Sequence, residues 1–429
     1  MDYKNKLIEL ASTKARSIYG DILDERIENR IYYEIEELSR CCDLKTIYEI
    51  YLFIETQKKA ENLYLSRLCC SNSLVFYLIG LGNVNPLPRH TYCPACHTFH
   101  WGCKQSDVCE NCGDKPKVDG YDLPFEILID NISKHGLKLC YSSLSCYNHD
   151  KLAIKYYEND LLKLAKLLGF SQTDIDENNL EFFSTLEILD CLHSNKVSNN
   201  GLDYFSSKYK KTFIFNHPPF IGIQDLSSPV LKRLLRYWNT IFDFDDLVKV
   251  TNMLHGSGVA DANIKFITKK NSTYADIKDC ITSRDELYYL LKSFQLNEDD
   301  ALLIIRETRL CGNGHLSKFS EYKLIEANVE TRYINFMKCL SYIFDKGHTV
   351  GHMRLAIKIA KIYLEDPLRY FKAYFTINKD KLLKMDKDYD FIKGISKYKS
   401  TELEEIYLAT IDLLERGFDP LSLIQNVLG

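Results

Sequence analysis

Residues 85–96 read Asn-Pro-Leu-Pro-Arg-His-Thr-Tyr-Cys-Pro-Ala-Cys, and they separate a helical segment from a cysteine-rich loop. The two prolines interrupt the helical pattern of residues 5–82, because proline lacks the backbone N–H that a helix interior needs. After twelve intervening residues, a second pair, Cys109 and Cys112, completes a CxxC…CxxC pattern. Two tight turns of this kind can direct four thiolates to one ion, as a closed structural Zn²⁺ site requires. The spacing therefore predicts a structural zinc bound by Cys93, Cys96, Cys109 and Cys112.

The same thiols are compatible with two simpler arrangements. They could be unrelated reduced cysteines: the chain has 15 cysteines, and the adjacent pairs Cys41-Cys42 and Cys69-Cys70 show that close cysteines also arise without a metal motif. They could also form disulfides, which a reducing compartment disfavours. Three more residues inside the loop could replace one zinc ligand: His97, His100 and Cys103.

Composition limits the class of protein. A length of 429 residues allows two or three domains with buried cores, and 45% hydrophobic with 27% charged residues is typical of a globular protein. The net charge of −4 lacks the basic excess with which duplex-binding proteins neutralise phosphates, so any nucleic-acid contact must come from local patches. We find no apolar signal segment and no run long enough to span a bilayer, and we expect a cytoplasmic protein with no membrane contact.

Helical periodicity dominates both ends of the chain. Isoleucines recur at helical spacing between Ile22 and Ile35, and helical patterns continue from about residue 228 to the end. The clearest pair spans residues 331–344 and 352–364, joined by a turn at Lys346-Gly347-His348. Short strands are expected within residues 121–150. The sequence thus predicts a mainly helical protein of the α+β class.

Several segments resemble, in order, the PolC-type bacterial DNA polymerase III alpha subunit, a family C DNA polymerase. Residues 85–96 are similar to that family's Asn-Pro-Leu-Pro-x-His-x-x-Cys-Pro-x-Cys segment, and residues 119–126 continue the similarity. Lys346-Gly347-His348 resembles the family's Lys-Ala-His motif, and residues 367–376 resemble its Pro-Leu-Tyr-Tyr…Ala-Tyr-Phe-Thr segment. Shorter similarities lie at residues 253–256, 283–286 and 415–418.

The resemblance implies a truncated and degenerate family C fold. A helical palm-entry region would span residues 1–84, and a zinc-binding loop would span residues 85–120. A degenerate palm remnant would follow at residues 121–227, where the resemblance is weakest. A helical fingers-like domain would complete the chain at residues 228–429.

The family polymerises DNA with palm aspartates whose carboxylates hold two Mg²⁺ ions. The resemblance places two of these aspartates on Leu139 and Tyr141, and the third, which follows a Leu-Leu-Lys-Leu run, on Ala165. None of the three carries a carboxylate, so we expect no Mg²⁺ and no polymerase activity. Asp174 and Asp176 have a suitable local spacing, but an exposed polar turn accounts for this pair more simply.

The phosphate-binding parts of the family are only partly retained. Its Gly-Ser-Arg-Gly-Ser-Val-Gly-Ser-Ser cradle falls on residues 65–73, where its glycines are replaced. Backbone amides close on phosphate where no Cβ intrudes, so we expect this cradle to be degraded. Contacts to nucleotide or nucleic-acid phosphates are implied by five matched positions: Arg67, His255, Lys346, His348 and Lys358. The alternative is that Lys346 and His348 are polar residues of an interhelical turn, retained by descent.

Three functions are compatible with the sequence. The first is a PolC-like pseudo-polymerase that binds primed or single-stranded DNA, or a replication protein, without polymerising. The second is an active DNA polymerase fragment or split subunit whose carboxylates lie elsewhere in this chain or on another one. The third is a protein-binding module with no nucleic-acid contact, which the negative net charge favours.

Overall fold

A computed structural model describes most of the chain and confirms the mainly helical, α+β class. The described residues are 2–61, 63–65, 68–103, 108–135, 137, 146–149, 152–154, 160–176, 188, 220–238, 243–267, 276–310, 316–383 and 401–429. The chain divides into two compact units, each assembled from three segments. The first unit comprises Met1–Glu158, Ser171–Asn179 and Val248–Arg354, and the second comprises Asn159–Phe170, Leu180–Leu247 and Leu355–Gly429.

The described α-helices, in chain order, are α1 (Tyr3–Tyr19), α2 (Glu25–Cys41), α3 (Leu44–Lys59), α4 (Leu74–Leu78), α5 (Phe125–His135), α6 (Asp160–Leu167), α7 (Gln172–Asp176), α8 (Pro229–Tyr237), α9 (Phe244–His255), α10 (Val259–Ala262), α11 (Arg284–Ser293), α12 (Glu298–Leu310), α13 (Lys318–Glu326), α14 (Thr331–Cys339), α15 (Lys346–Glu365), α16 (Pro367–Ile377), α17 (Lys379–Leu383), α18 (Thr401–Glu415) and α19 (Pro420–Leu428). A 3₁₀ turn spans Leu68–Asn72.

The described strands are short and form two antiparallel sheets. The larger sheet has the order β2 (Phe99–Trp101), β1 (His90–Tyr92), β3 (Lys117–Asp119). The smaller sheet pairs β4 (Cys146–His149) with β5 (Leu152–Ile154). The larger sheet frames the cysteine-rich loop, because β1 and β2 flank its first cysteine pair and β3 follows its second.

The core of the first unit is built around α2. One face of this helix buries Ile27, Ile31 and Ile35 completely, as the isoleucine spacing predicts. On the same helix the fully buried Glu34 carboxylate accepts hydrogen bonds from the Ser73 hydroxyl and from two backbone amides at the start of α4. An internal carboxylate thus stabilises the N-terminus of the short helix that follows the altered cradle segment.

The core of the second unit is aromatic. Tyr363 of α15 contacts Tyr370 and Phe371 of α16, with ring centroids 4.9 and 5.6 Å apart. The Tyr370 hydroxyl donates to the Ile221 carbonyl oxygen, and the Tyr363 hydroxyl donates to Asp412. Each buried phenol therefore has a polar partner, as burial of a Tyr hydroxyl requires.

The region after α14 differs from the sequence-based expectation. The helix expected over residues 331–344 ends at Cys339, and the following helix starts at Lys346 instead of residue 352. Lys346 and His348 therefore lie in the first turn of α15 and not in an interhelical turn. The glycine in Lys-Gly-His favours a turn in sequence reasoning, but the carboxylate of Asp285, which is distant in the chain, accepts from the Lys346 backbone amide at the start of the helix. The palm and fingers assignments of residues 1–84, 121–227 and 228–429 remain predictions.

Candidate metal centre

The first cysteine pair lies on a tight turn between β1 and β2. The Cys93 amide donates to the Thr98 carbonyl oxygen (2.9 Å), and the His97 amide donates to the Cys93 carbonyl oxygen (2.8 Å). His97 has a φ of +59°, in the left-handed region, and this lets the chain reverse after Cys96. The turn places both sulfur atoms of the pair on the same side of the loop.

The second pair repeats this geometry just before β3. The Cys109 amide donates to the Asp114 carbonyl oxygen (2.6 Å), and the Gly113 amide donates to the Cys109 carbonyl oxygen (2.9 Å). Gly113 has a φ of +78°, which a glycine adopts without steric cost. The two turns face each other because β3 pairs with β1 and leads away from the second turn.

The four sulfur atoms converge on one point. All lie within 4.8 Å of one another, and the Cys93–Cys112 and Cys96–Cys109 sulfur pairs are each 3.5 Å apart. Zinc–sulfur bonds of about 2.3 Å in a tetrahedron place sulfurs about 3.8 Å apart, close to these values. A disulfide would need about 2.05 Å, so these contacts are not disulfides. The cluster can bind a metal ion such as zinc, and no similar group of three or more His, Cys, Asp or Glu side chains occurs elsewhere among the described residues.

The local hydrogen bonds favour thiolate at two of the sulfurs. The Thr98 hydroxyl, 3.1 Å from the Cys96 sulfur, and the Thr98 backbone amide lower the pKa of Cys96 to about 5. Backbone amides of Asn111 and Cys112 likewise lower the pKa of Cys109. The backbone amide of Asp114 acts in the same direction on Cys112, but nearby thiols outweigh it and raise the pKa of Cys112 to about 12. Thiolate is the form that binds metal.

The three loop residues that could have replaced a cysteine ligand lie outside the cluster. The His97 Nδ1 lies 3.0 Å from the Ile18 carbonyl oxygen and so attaches the loop to α1. The His100 Nε2 lies 3.9 Å from Glu110. Cys103 is solvent-exposed. The four-cysteine set therefore describes this geometry better than any set containing these three residues.

A buried polar network holds the cysteine loop against α1. The Asn85 side-chain amide donates to the Tyr19 hydroxyl (2.8 Å) and to the Asp119 carboxylate (2.8 Å). The His90 ring packs edge-on against Tyr19, with centroids 5.5 Å apart. Sequence reasoning identified residues 85–96 as distinctive but did not assign this role to Asn85 and His90. The cysteine loop is thus joined to the N-terminal helix by buried polar and aromatic contacts.

Of the three positions matched to the family's catalytic aspartates, the structure describes one. Leu139 and Tyr141 lie outside the described residues. Ala165 lies on α6 and is completely buried, like Leu161 and Leu164 of the same helix. Its methyl group offers no oxygen to a metal ion.

Asp174 and Asp176 of α7 have structural partners. The Asp174 carboxylate accepts from the backbone amide (2.7 Å) and hydroxyl (2.6 Å) of Ser171. The Asp176 carboxylate accepts from the side-chain amides of Asn83 and Gln172. Burial raises the pKa of Asp176, although these two amides act in the opposite direction. Asp176 is therefore not an exposed turn residue, which the local sequence pattern had favoured.

The five candidate phosphate-contacting residues are not gathered at one described point. Arg67 lies outside the described residues, and Lys358 belongs to the second unit. His255 stacks on Phe344 (5.1 Å between centroids), and the buried His348 lies 5.0 Å from the same ring. Their contact with phosphate stays a prediction.

Lys346 lines a cavity of about 410 Å³ in the first unit. Its ammonium group donates to the Tyr121 carbonyl oxygen (2.8 Å), and its backbone amide donates to Asp285 (2.8 Å). Three lysines and four carboxylates line the cavity, and one of these pairs, Lys249 with Glu286, is an ion pair at 2.9 Å. The charges on the cavity wall are therefore nearly balanced, with a slight negative excess.

Two departures from the family motifs lie against each other. A Cβ added to Gly347 would come within 2.5 Å of the Ser71 Cβ and 3.0 Å of Leu123 Cδ1. The aligned motifs have glycine where Ser71 stands and alanine where Gly347 stands. With Ser71 in place, position 347 has no room for a Cβ unless one of the two segments shifts.

The chain is similar to DNA polymerase III PolC-type of several bacteria. It is 24% identical to that of Clostridium perfringens over 94% of this chain and 34% of the relative. It is 23% identical to that of Bacillus subtilis over 98% of this chain and 36% of the relative, and 22% identical to that of Mycoplasma genitalium over 95% and 35%. These similarities identify a distant PolC-like homologue.

The chain spans about a third of the length of the curated relatives it matches. The Clostridium alignment runs over 514 positions, more than the 429 residues of this chain, so the relative has segments inside the matched region that this chain lacks. The chain matches no protein-family model. Among the described residues, no helix has the length and apolar character needed to cross a membrane.

Proposed function

We propose that this distant PolC-like homologue is a pseudo-polymerase that binds nucleic acid or a replication protein without polymerising DNA. The observation that carries the proposal is Ala165. This residue directly follows the Leu-Leu-Lys-Leu run after which the family has an aspartate, and it is completely buried. Two-metal nucleotidyl transfer needs carboxylate oxygens to hold both ions, and a methyl group cannot replace them.

Two acidic residues considered as alternatives, Asp174 and Asp176, also favour this proposal. The carboxylates of Asp174 and Asp176 are engaged by Ser171, Asn83 and Gln172, so using them for Mg²⁺ would require breaking these bonds. Burial further raises the pKa of Asp176, which disfavours the charged form that a metal needs. A split or active polymerase would have to take its carboxylates from other residues.

Primer extension tests the loss of polymerase activity. The chain is incubated with a labelled primer–template, the four dNTPs and Mg²⁺ or Mn²⁺, beside a full-length PolC-type polymerase as a positive control. We expect no extension above the buffer background. Extension that disappears in an Asp174→Asn or Asp176→Asn variant would establish an active polymerase and overturn the proposal.

DNA binding is proposed through Arg67, His255, Lys346, His348 and Lys358. Lys346 is the best supported of these, because it lines an open cavity and an ammonium group has donors beyond the one used by Tyr121. Fluorescence anisotropy with primed and single-stranded DNA at several salt concentrations tests it. We expect affinity to fall steeply with salt, and Lys346→Ala to weaken binding more than the control Lys318→Ala.

Protein binding without nucleic acid is the second candidate, and the cavity favours it. Its carboxylates outnumber its lysines by one, so it lacks the positive potential that attracts a phosphate backbone. No DNA retention at low salt, together with no effect of Lys346→Ala, would support this candidate over the first.

We also propose that the cysteine cluster holds a structural Zn²⁺. The sulfur separations support a closed four-thiolate site, which has no open position for a substrate. The ion would stabilise the three-stranded sheet and, through Asn85 and His90, its packing on α1. Elemental analysis of the purified chain tests this, and about one zinc per chain is expected.

A further inference from the structure

We propose that the four-cysteine cluster is also an oxidation site, at which a peroxide converts the thiolates into two disulfides, Cys93 with Cys112 and Cys96 with Cys109. Each of these disulfides joins one turn of the loop to the other. The inference rests on the structural Zn²⁺ site proposed above, and it adds that the loop exchanges a metal-held form for a disulfide-held form. The sulfur contacts across the cluster and the accessibility of one cysteine in each pair carry it.

The sulfur contacts of 3.5 Å both cross from one turn to the other. The first turn supplies Cys93 and Cys96, and the second supplies Cys112 and Cys109 as their partners. A disulfide has an S–S length of about 2.05 Å, so the sulfurs of each pair have to approach by about 1.5 Å. Shared between two side chains, this displacement is small enough for rotation of the side chains to supply it. Neither turn has to unfold for the bond to form.

Each pair combines a buried cysteine with an accessible one. Cys93 is buried and its partner Cys112 is exposed, while Cys109 is buried and its partner Cys96 is partly exposed. A peroxide can therefore reach one cysteine of each pair from solvent, and the second sulfur lies 3.5 Å from the first. An accessible thiolate beside a second cysteine is the arrangement that leads to a disulfide in redox-sensing proteins.

The reaction balances with two molecules of hydrogen peroxide per cluster. The Cys112 thiolate attacks a peroxide oxygen, the O–O bond breaks, and a sulfenic acid and a hydroxide ion form. The Cys93 thiolate then attacks the Cys112 sulfur, the S–OH bond breaks, and a disulfide and a second hydroxide ion form. The same steps at Cys96 and Cys109 consume the second peroxide. The sulfurs lose four electrons and the two peroxides gain them. Because thiolate is the form that binds metal, the disulfides no longer hold the Zn²⁺.

The pairing across the turns determines what oxidation does to the fold. The two bridges connect cysteines that are 19 and 13 residues apart in the chain, and they keep the turns joined after the metal has left. Bridges inside each CxxC would instead leave the two turns free to separate. We therefore expect the pairing of β1 with β3, which brings the turns together, to persist in the oxidised chain.

Tryptic digestion without reduction distinguishes the two pairings. Trypsin cleaves after Arg89, Lys104 and Lys117, so the first cysteine pair lies on residues 90–104 and the second on residues 105–117. Disulfides between the turns link these two peptides, whereas disulfides inside each CxxC leave them separate. The experiment uses the full chain with Cys103→Ser, because Cys103 lies on the first peptide and is exposed. The parent chain is treated in parallel.

The zinc-loaded chain is treated with excess hydrogen peroxide, zinc release is followed with a chromogenic chelator, and free thiols are blocked before digestion. We expect about one zinc released per chain and a linked peptide pair that contains both disulfides. Dithiothreitol followed by Zn²⁺ should restore the unlinked, zinc-binding chain. The exposed Cys339 is an internal control and should be absent from the linked peptides.

Four outcomes would contradict the proposal. Zinc release with disulfides inside each peptide, or with sulfinic and sulfonic acids alone, would show that the turns do not pair as inferred. Zinc that stays bound in excess peroxide would show that the cluster is inert. Loop disulfides to Cys339 as abundant as those between the turns would show random exchange. These three results leave the metal site intact, whereas a chain without zinc before treatment refutes that site and the exchange with it.

Discussion

The contact between Ser71 and Gly347 makes a sharp test of how this chain departs from its relatives. In Gly347→Ala, the new Cβ would lie 2.5 Å from the Ser71 Cβ, where ordinary carbon contacts begin near 3.4 Å. Ser71 is completely buried, so one of the two backbones must move by roughly 1 Å. Overpacking of this kind costs about 1–3 kcal/mol. The higher helix propensity of alanine offsets about 1 kcal/mol of that cost. We expect a net loss of up to about 2 kcal/mol in the free energy of unfolding.

The reverse change at Ser71 should remove the clash. In the double variant S71G/G347A the Cβ is again on one side only, as in the aligned family motifs. The double-mutant cycle should therefore give a favourable coupling of about 1–3 kcal/mol. Urea unfolding followed by far-UV circular dichroism measures all four variants.

Gly351→Ala is the matched control, because it lies on the same helix and its Cβ would meet Val84 at an ordinary 3.5 Å. This variant should be neutral or more stable by up to about 1 kcal/mol. A coupling between positions 71 and 347 smaller than about 0.5 kcal/mol would refute the packing argument.

Three more perturbations follow from described contacts. Glu34→Gln should lower the free energy of unfolding by about 2–4 kcal/mol, because one buried acceptor oxygen becomes an amide donor that faces other donors. The control Glu25→Gln, at an exposed position, should lower it by less than about 0.5 kcal/mol. Equal effects of the two variants in urea unfolding would contradict this prediction. Cys109→Ser should abolish zinc retention and lower the melting temperature by several degrees, whereas the control Cys103→Ser should change neither. A zinc content equal to that of the parent chain in Cys109→Ser would exclude the four-cysteine site. Burial raises the folded-state pKa of Asp176, so the folded state binds this proton more tightly than the unfolded state, and the parent chain loses stability as pH rises through that pKa. Asp176→Asn cannot ionise, so its stability relative to the parent should increase from about pH 4 to pH 7. Parallel stability curves for the two chains over this pH range would show that burial does not perturb the pKa of Asp176.

The parts of this molecule that sequence reasoning predicted best rest on short-range rules. The isoleucine spacing of α2 follows from helix periodicity, and the CxxC pairs follow from the reach of a tight turn. Both depend on neighbours within a few residues. The convergence of the four sulfurs is consistent with the expected cluster, although the identity of the ion rests on the proposal above.

The features that sequence reasoning missed depend on contacts between distant segments. The start of α15 at Lys346 is stabilised by the Asp285 carboxylate, which accepts from the Lys346 backbone amide although the two residues are far apart in the chain. The Asp176 carboxylate accepts from the side-chain amide of Asn83, which is far away in the chain, and no local sequence pattern indicates that hydrogen bond.

Helix α15 (Lys346–Glu365) crosses the division between the two units, which falls between Arg354 and Leu355, and α9 (Phe244–His255) crosses it again between Leu247 and Val248. Each unit also draws on three separated stretches of the chain. No single cut can therefore release either unit intact, because a cut at either of these boundaries severs a continuous run of helical hydrogen bonds. Dissection of this protein by truncation will yield damaged fragments, and its activities are better separated by point substitution in the whole chain.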